Sequence, residues 1–443
     1  MISKSARNWL RASLLLFLGA MAAVPALAQT VASGTGHGGV DVGAATPAYF
    51  EGGYWILLWG ALIGIAVDMV FLITGFSARL RDWALRVTKR RWIIPGLYGL
   101  FYVVISSVIL LPWTVYTDYY REHQYGLSNQ SFGAWFGEFG MSFAINIVVF
   151  ALLLMVIFAV IRWLPRTWWL AGAAVMTGFV AIGALLAPVY LAPLFNTYTE
   201  MPQGPLRDRI VAMAEAHNVP AEHIYVFDAS KQTDRISANV SGLGPTIRIS
   251  LNDNLLNRTS PDEVAAVMGH ELGHYVLGHV QRLILSFGLV FLFAFGVIAF
   301  TAPRLLARYG DRWGVHNVSD PAVLPLFSAI ASALFLVLTP VTNTIIRTNE
   351  AEADAFGLDA AKAPDGFAMA AMRLSEYRKI EPGPIEEFLF YDHPSGKNRV
   401  ERSMQWKADH VPNATIVYPK PLDAPVNQPA QTPAKAATDD AKE

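Results

Sequence analysis

His270-Glu271-Leu272-Gly273-His274 sets two imidazoles four residues apart, with a carboxylate beside the first. On a helix, residues i and i+4 lie one above the other, so both rings can reach one metal ion. Glu271 then stands where it can take a proton from a water activated by that ion. This is the zincin arrangement for hydrolysing a peptide bond. The bland reading is a helix that happens to carry two histidines. The discriminating feature is a third ligand, because a zinc hydrolase needs three protein ligands and one open position. Downstream, in Arg347–Gly357 (RTNEAEADAFG), Glu350 and Asp354 are also four apart and share a helix face. Glu350 is the candidate third ligand. Asp354 would accept a hydrogen bond from the non-ligating ring nitrogen of a zinc histidine, with His270 the expected partner. Taken alone, that pair would be an ordinary solvated acidic face; paired with the upstream motif it becomes part of a site.

The elements that must position these groups are legible. Ser260-Pro261-Asp262-Glu263 reads as a capping box, with Ser260 at the N-cap, Pro261 at N1 and Glu263 at N3. Val264, Ala265, Val267 and Met268 supply an apolar helical face. The two histidines therefore fall in the third turn of a well-started helix.

His270–His279 (HELGHYVLGH), Arg347–Gly357, and His393-Pro394 with Arg399 resemble the integral-membrane zinc peptidases of the type I CAAX prenyl protease family. Tyr190–Pro202 (YLAPLFNTYTEMP) and Glu122–Phe132 (EHQYGLSNQSF) fit the same pattern, so the resemblance runs from about Trp92 to Met404. It implies His270, His274 and Glu350 as ligands of one Zn²⁺ per chain and Glu271 as general base. It also implies that His393 and Arg399 help to hold the tetrahedral intermediate, and that the spans enclose a wet intramembrane chamber with the zinc site near one end. The family's substrate strand usually carries an Asn-Ala pair. The corresponding stretch here is Ser237-Ala238-Asn239-Val240-Ser241-Gly242, with Ser at the Asn position. A peptide lying along that edge would be bound through its backbone by β-augmentation.

Composition agrees with a membrane protein. Hydrophobic residues make up 53% and charged residues 16%, against the usual quarter charged in soluble domains. A net charge of −1 gives no basis for nucleic-acid binding. With no cysteine, disulfides and thiolate metal ligands are both excluded.

The N-terminus combines Lys4, Arg7 and Arg11, an apolar run from Leu14 to Val24, and Ala26-Leu27-Ala28. That is a signal-peptide layout with cleavage after Ala28, or an uncleaved anchor. Six apolar stretches follow at Tyr54–Phe76, Trp92–Thr117, Phe139–Ile161, Trp168–Phe195, Leu283–Ala302 and Pro321–Ile346. Each is long enough to cross a bilayer core of about 30 Å. Asp68 is the charged residue inside the first of them, read either as lining a wet cavity or as a structural hydrogen-bonding group. Arg207–His217 reads as helix, and Ile224–Phe227 and Thr246–Leu251 as short strands.

The fold expected is mainly α: a polytopic α-helical membrane protein with a small α+β zincin-type metalloprotease domain. Residues 1–28 are a signal or anchor, 29–53 a spacer, 54–195 four spans, and 196–282 the first part of the peptidase domain. Residues 283–346 give two further spans, 347–418 the second part of that domain, and 419–443 a Pro/Ala-rich disordered tail.

Charge also predicts sidedness. The short loops Ser77–Arg91, Arg162–Thr167 and Pro303–Asp320 carry eleven Lys/Arg, while Gln29–Gly53 and Asp118–Glu138 carry only Arg121. The positive-inside rule puts the first set in the cytoplasm and the zinc domain on the far side, the periplasm of a cell with an inner membrane. Eukaryotic relatives place that domain in the cytosol; the charges are followed here.

The expected function is a membrane-embedded zinc endopeptidase acting on a peptide or protein substrate, with the lipid bilayer as its other partner. The alternative is a polytopic transport or scaffold protein with a structural or inactive zinc site. Such a site would be closed by a fourth protein ligand, for which His279 and His393 are the nearby candidates.

Overall fold

The computed structural model describes residues 42–242, 247–374 and 378–419. The expected signal segment, and the tail from residue 420, lie outside the described residues. Among the described residues, six helices are long and apolar enough to cross a membrane. The first, α1 (Val42–Ile73), begins well before the expected Tyr54, so residues 42–53 are helix rather than spacer. A short amphipathic helix, α2 (Phe76–Val87), precedes α3 (Ile94–Thr114), α4 (Phe132–Trp163) and α5 (Trp168–Leu186). Ser131 starts α4 ahead of its apolar core: its Oγ accepts from Ala134 N at 3.3 Å.

Both π-helical turns among the described residues lie at prolines. Val115–Tyr120 continues α3 just past Pro112, and Ala187–Leu191, which contains Pro188, continues α5. A proline removes an N–H from the ladder and crowds the preceding turn, and local widening relieves the strain.

Between α5 and the next span lies the small sheet. It comprises β1 (Tyr198–Glu200), β2 (Ile224–Phe227), β3 (Ala238–Ser241) and β4 (Arg248–Asn252), in the order β1-β2-β4-β3. β2 and β4 are parallel; β1 and β3 run antiparallel to their neighbours. Strand β1 was not anticipated from the sequence. Helix α6 (Pro205–Ala216) links β1 to β2, and α7 (Asp253–Arg258) leads into α8 (Pro261–Val276), the helix with the two histidines. Ile224, Ile249, Leu251, Met268 and Leu272 are fully buried between sheet and helix. Each contributes about 1.5–3 kcal/mol of burial free energy.

The last two spans are α9 (His279–Trp313) and α10 (Leu324–Ala361). The anticipated division after Ile346 is not a break in structure. α10 is continuous, and its final turns carry Glu350 and Asp354 out of the apolar stretch to the site. Helices α11 (Pro364–Leu374), α12 (Pro384–Phe390) and α13 (Gly396–His410) complete the domain. Neighbouring spans follow the order α3–α4–α5–α9–α10–α1. Asp68 on α1 is 2% exposed and accepts a hydrogen bond from the Tyr102 hydroxyl on α3, the structural of its two readings.

Candidate active site

The capping box on α8 forms in full. Ser260 Oγ accepts from Glu263 N at 3.3 Å, and Glu263 Oε2 accepts from Ser260 N at 2.8 Å. With the helix start fixed, its facing residues are set against α10. Gly269 and Gly273 lie at this crossing. A Cβ on Gly269 would meet Gly357 O at 2.8 Å, and one on Gly273 would meet Ala353 Cα at 3.2 Å. Only small residues allow helix axes this close.

This approach brings three candidate ligand groups together. His270 Nε2 lies 3.1 Å from His274 Nε2 and 3.2 Å from Glu350 Oε2. His274 Nε2 is 3.4 Å from Glu350 Oε1. Tetrahedral ligands held about 2.0–2.1 Å from a zinc ion stand about 3.4 Å from one another. The spacing therefore fits one shared cation. So does the donor chemistry, two imidazoles and a carboxylate. Glu350 Oε2, moreover, is buried without a well-aligned hydrogen-bond donor. Among the described residues, His270, His274 and Glu350 form a set whose donor atoms all lie within 4.8 Å of one another, and His393 does not join it.

Behind this triangle sits a buried ion pair. His270 Nδ1 is 2.8 Å from Asp354 Oδ1, and Asp354 is fully buried. Arg399 clasps the same carboxylate, with Nε donating to Oδ2 at 3.0 Å and Nη2 donating to Oδ1. The sequence reading gave Arg399 to the tetrahedral intermediate. The structure pairs two of its nitrogens with Asp354, a fully buried carboxylate that needs a counter-charge, and also places Arg399 on the lining of the cleft. Burial opposes a proton on His270, yet Asp354 and Glu350 outweigh it and push the imidazole up to about 10. The field that favours a proton there favours any cation. His274, away from Asp354, is pushed down to about 4 by burial and by the neighbouring His270 charge.

Glu271 faces the cleft that His270, Ser237, Ala238, His393 and Arg399 also line. Burial raises its carboxyl to about 7, with the Glu350 charge adding to the rise and His270 opposing it. A carboxyl at that level can take up and release a proton near neutrality. His393 reaches the site from the loop before α13. Its Nε2 is 3.2 Å from Glu350 Oε2, and its Nδ1 is 2.8 Å from Asp392 Oδ1. The Asp392 contact was not foreseen, although the two residues are adjacent in sequence.

Strand β3 is an edge. It pairs with β4 from Ala238↔Leu251 through Asn239↔Ser250 and Val240↔Ile249 to Ser241↔Arg248, and its other side carries no strand among the described residues. Ser237 is fixed just before it: Ser237 N donates to Asn252 Oδ1 at 3.0 Å, and Ser237 O accepts from Asn252 N at 2.9 Å. Ser237 and Ala238 line the cleft, and Asn239, Val240 and Ser241 continue the edge strand.

Were α8 continued, His279, five residues beyond His274, would lie off its ligand face. The left-handed Gly278 (φ +66°) breaks that phase, and His279 comes to the site with its Nδ1 2.9 Å from His274 Nδ1. Only a residue tolerant of the left-handed region serves at that turn.

Comparison with known proteins matches the model described as peptidase family M48 over residues 200–407. Residues 49–197 match one described as the CAAX prenyl protease N-terminal region with five membrane helices. In that segment the structure has α1 to α5, with α2 too short to span. An uncharacterized metalloprotease of Bacillus subtilis, YhfN, is 26% identical, covering 77% of this chain and 81% of its own. CAAX prenyl protease 1 of Saccharomyces cerevisiae is 22% identical over 77% of this chain and 81% of its own. The human CAAX prenyl protease 1 homolog is 28% identical over 67% and 71%. The crystal structure of S. mikatae Ste24p superposes with a TM-score of 0.68 at 19% identity, covering 90% of this chain and 99% of that one, and so shares the fold.

Proposed function

We propose that this multi-pass membrane metalloendopeptidase, whose residues 200–407 match peptidase family M48, cleaves peptide bonds with one zinc ion held by His270, His274 and Glu350 and with Glu271 as general base. The observation that carries this reading is the triangle of donor atoms at 3.1, 3.2 and 3.4 Å, with Glu271 opening on the same cleft. Zinc, when bound, supplies a Lewis acid that activates a water and polarises the scissile carbonyl.

The chain's own residues do the rest. The Glu271 carboxylate takes the proton of the attacking water and hands it to the leaving amine. Asp354, itself held by Arg399, keeps the His270 proton on Nδ1 so that Nε2 faces inward. His393, its Nδ1 tied to Asp392, presents Nε2 to the cleft and donates to the oxygen that gains charge in the transition state. The free edge of β3, starting at Ser237 and Ala238, takes the substrate backbone as an added strand. That mode selects extended peptide more than particular side chains.

The Arg-rich loops lie in the cytoplasm and the catalytic domain in the periplasm, with the spans in the inner membrane. The substrate is a peptide or protein that reaches that side. A second reading, a structural zinc site closed by His393, draws on the 3.2 Å approach of His393 to Glu350. The exclusion of His393 from the mutually close donor set favours the open, catalytic arrangement. Metal analysis and peptide hydrolysis by wild type and the Glu271→Gln variant test the proposal: zinc in both, activity in one.

A further inference from the structure

A histidine that gives Nε2 to a metal must carry its proton on Nδ1, and that proton needs an acceptor. For His270 the nearby acceptor is Asp354, its Oδ1 2.8 Å from Nδ1. His274 has no carboxylate within reach of its Nδ1 among the described residues. What it has is His279, Nδ1 to Nδ1 at 2.9 Å, with the ring centroids 5.0 Å apart and the ring planes at 71°. Two facing ring nitrogens make a hydrogen bond only if one is protonated and the other is not. Where His274 is a ligand, its Nδ1 is the donor. The Nδ1 of His279 must therefore be the bare acceptor, and its proton sits on Nε2.

That assignment is met by what lies on the other side of the ring. His279 Nε2 is 3.3 Å from Glu352 Oε2, an acceptor-only group. Glu352 is in turn gripped by Arg282, whose Nη1 donates to the same oxygen at 2.5 Å. The Arg282 nitrogen also reaches Asn349 Oδ1 at 3.3 Å, and Asn349 Nδ2 donates to Ile345 O at 3.0 Å. His279 is 1% exposed, so the chain His274–His279–Glu352 is shielded from water at its middle link. The donors and acceptors run in one direction without a mismatch.

We propose that His279, backed by Glu352 and Arg282, is the positioning residue that fixes the tautomer and ring orientation of His274. Helix α10 then sets both histidines from two of its faces. Glu350 and Asp354 act on His270 directly, and Glu352 acts on His274 through His279. The proposal rests on the reading of His274 as a metal ligand.

The test uses the full-length protein in detergent and reads zinc affinity by competition with a chelator. The variants are His274→Ala, His279→Leu, His279→Asn and Glu352→Ala, each with apo-protein thermal unfolding and the absorption spectrum of the cobalt-loaded form. His279→Leu should weaken zinc by about 10–100-fold and alter the cobalt spectrum. His279→Asn offers a carboxamide oxygen near the lost Nδ1 and should recover most of the affinity and the wild-type spectrum. Glu352→Ala, at a partly exposed side chain, should weaken zinc in the same direction by less. It keeps the test open if the leucine variant does not fold. Wild-type affinity in His279→Leu, or in Glu352→Ala where the leucine variant cannot be purified, would overturn the proposal. So would equal losses in His279→Leu and His279→Asn tracking a fall in apo stability, since packing alone would explain them. Full zinc affinity in His274→Ala would instead refute the ligand assignment beneath it.

Discussion

Gly269 on α8 and Gly357 on α10 meet backbone to backbone. A Cβ on Gly269 would stand 2.8 Å from Gly357 O, and one on Gly357 would stand 2.7 Å from His270 N. Glu350 and Asp354 reach the two histidines because nothing larger than hydrogen separates the helices at this point. Gly357→Ala is expected to destabilise by about 1–3 kcal/mol through overpacking. It should also spread the donor triangle, so that zinc affinity falls as well as the unfolding midpoint. Unchanged chelator competition in a folded Gly357→Ala protein would show that the crossing does not set the ligand spacing.

Removing Glu350 tests the third ligand. Glu350→Ala leaves two imidazoles, too few for a stable zinc site. Purified protein should lose its zinc, and dialysis of wild type against chelator should abolish hydrolysis until zinc is restored. Full occupancy in Glu350→Ala would remove it from the ligand set.

The Asp354–Arg399 pair is buried on both sides. Arg399→Leu should therefore cost about 3–5 kcal/mol, most of it from stranding the Asp354 charge. The double variant Arg399→Leu/Asp354→Asn should recover part of that stability while still binding zinc more weakly. If Arg399 instead touched the transition state, Arg399→Leu would lower kcat and leave the unfolding midpoint in place.

His393→Phe separates the oxyanion role from a ligand role. It should lower kcat by about 10²–10³, with KM and zinc content near wild type, because the bond forms mainly in the transition state. Zinc loss in this variant would favour the closed structural site.

Much of this was legible in the sequence because it is local. The Ser260–Glu263 box, the His270/His274 pair and the Glu350/Asp354 pair each depend on helical spacing alone. The six apolar runs marked the spans, but not their ends, because α1, α9 and α10 continue past the apolar core as polar helix. That is why a boundary drawn after Ile346 cuts a continuous helix. The parts that escaped depend on tertiary contact. The pairing of Arg399 with Asp354 is one of them, since nothing in the sequence brings the two together. The contact of His279 with His274 depends on the left-handed Gly278, which breaks the helical phase of α8. Strand β1 is three residues long and exists through its pairing with β2.

The positive-inside charge bias puts the catalytic domain in the periplasm, and fusions test it directly. Alkaline phosphatase fused after Tyr418 should be active, and green fluorescent protein at the same position should be dark, if the catalytic domain is periplasmic. The reverse pattern would place it in the cytoplasm without touching the chemistry.

The central claim is that Glu271 moves the proton in a zinc-dependent hydrolysis, and the Glu271→Gln variant addresses it most directly. The substitution keeps side-chain size and touches no proposed ligand, so zinc should remain at one per chain. Hydrolysis of casein or a quenched peptide should fall by at least about 10²-fold. Wild-type turnover in a zinc-loaded Glu271→Gln protein would contradict the account.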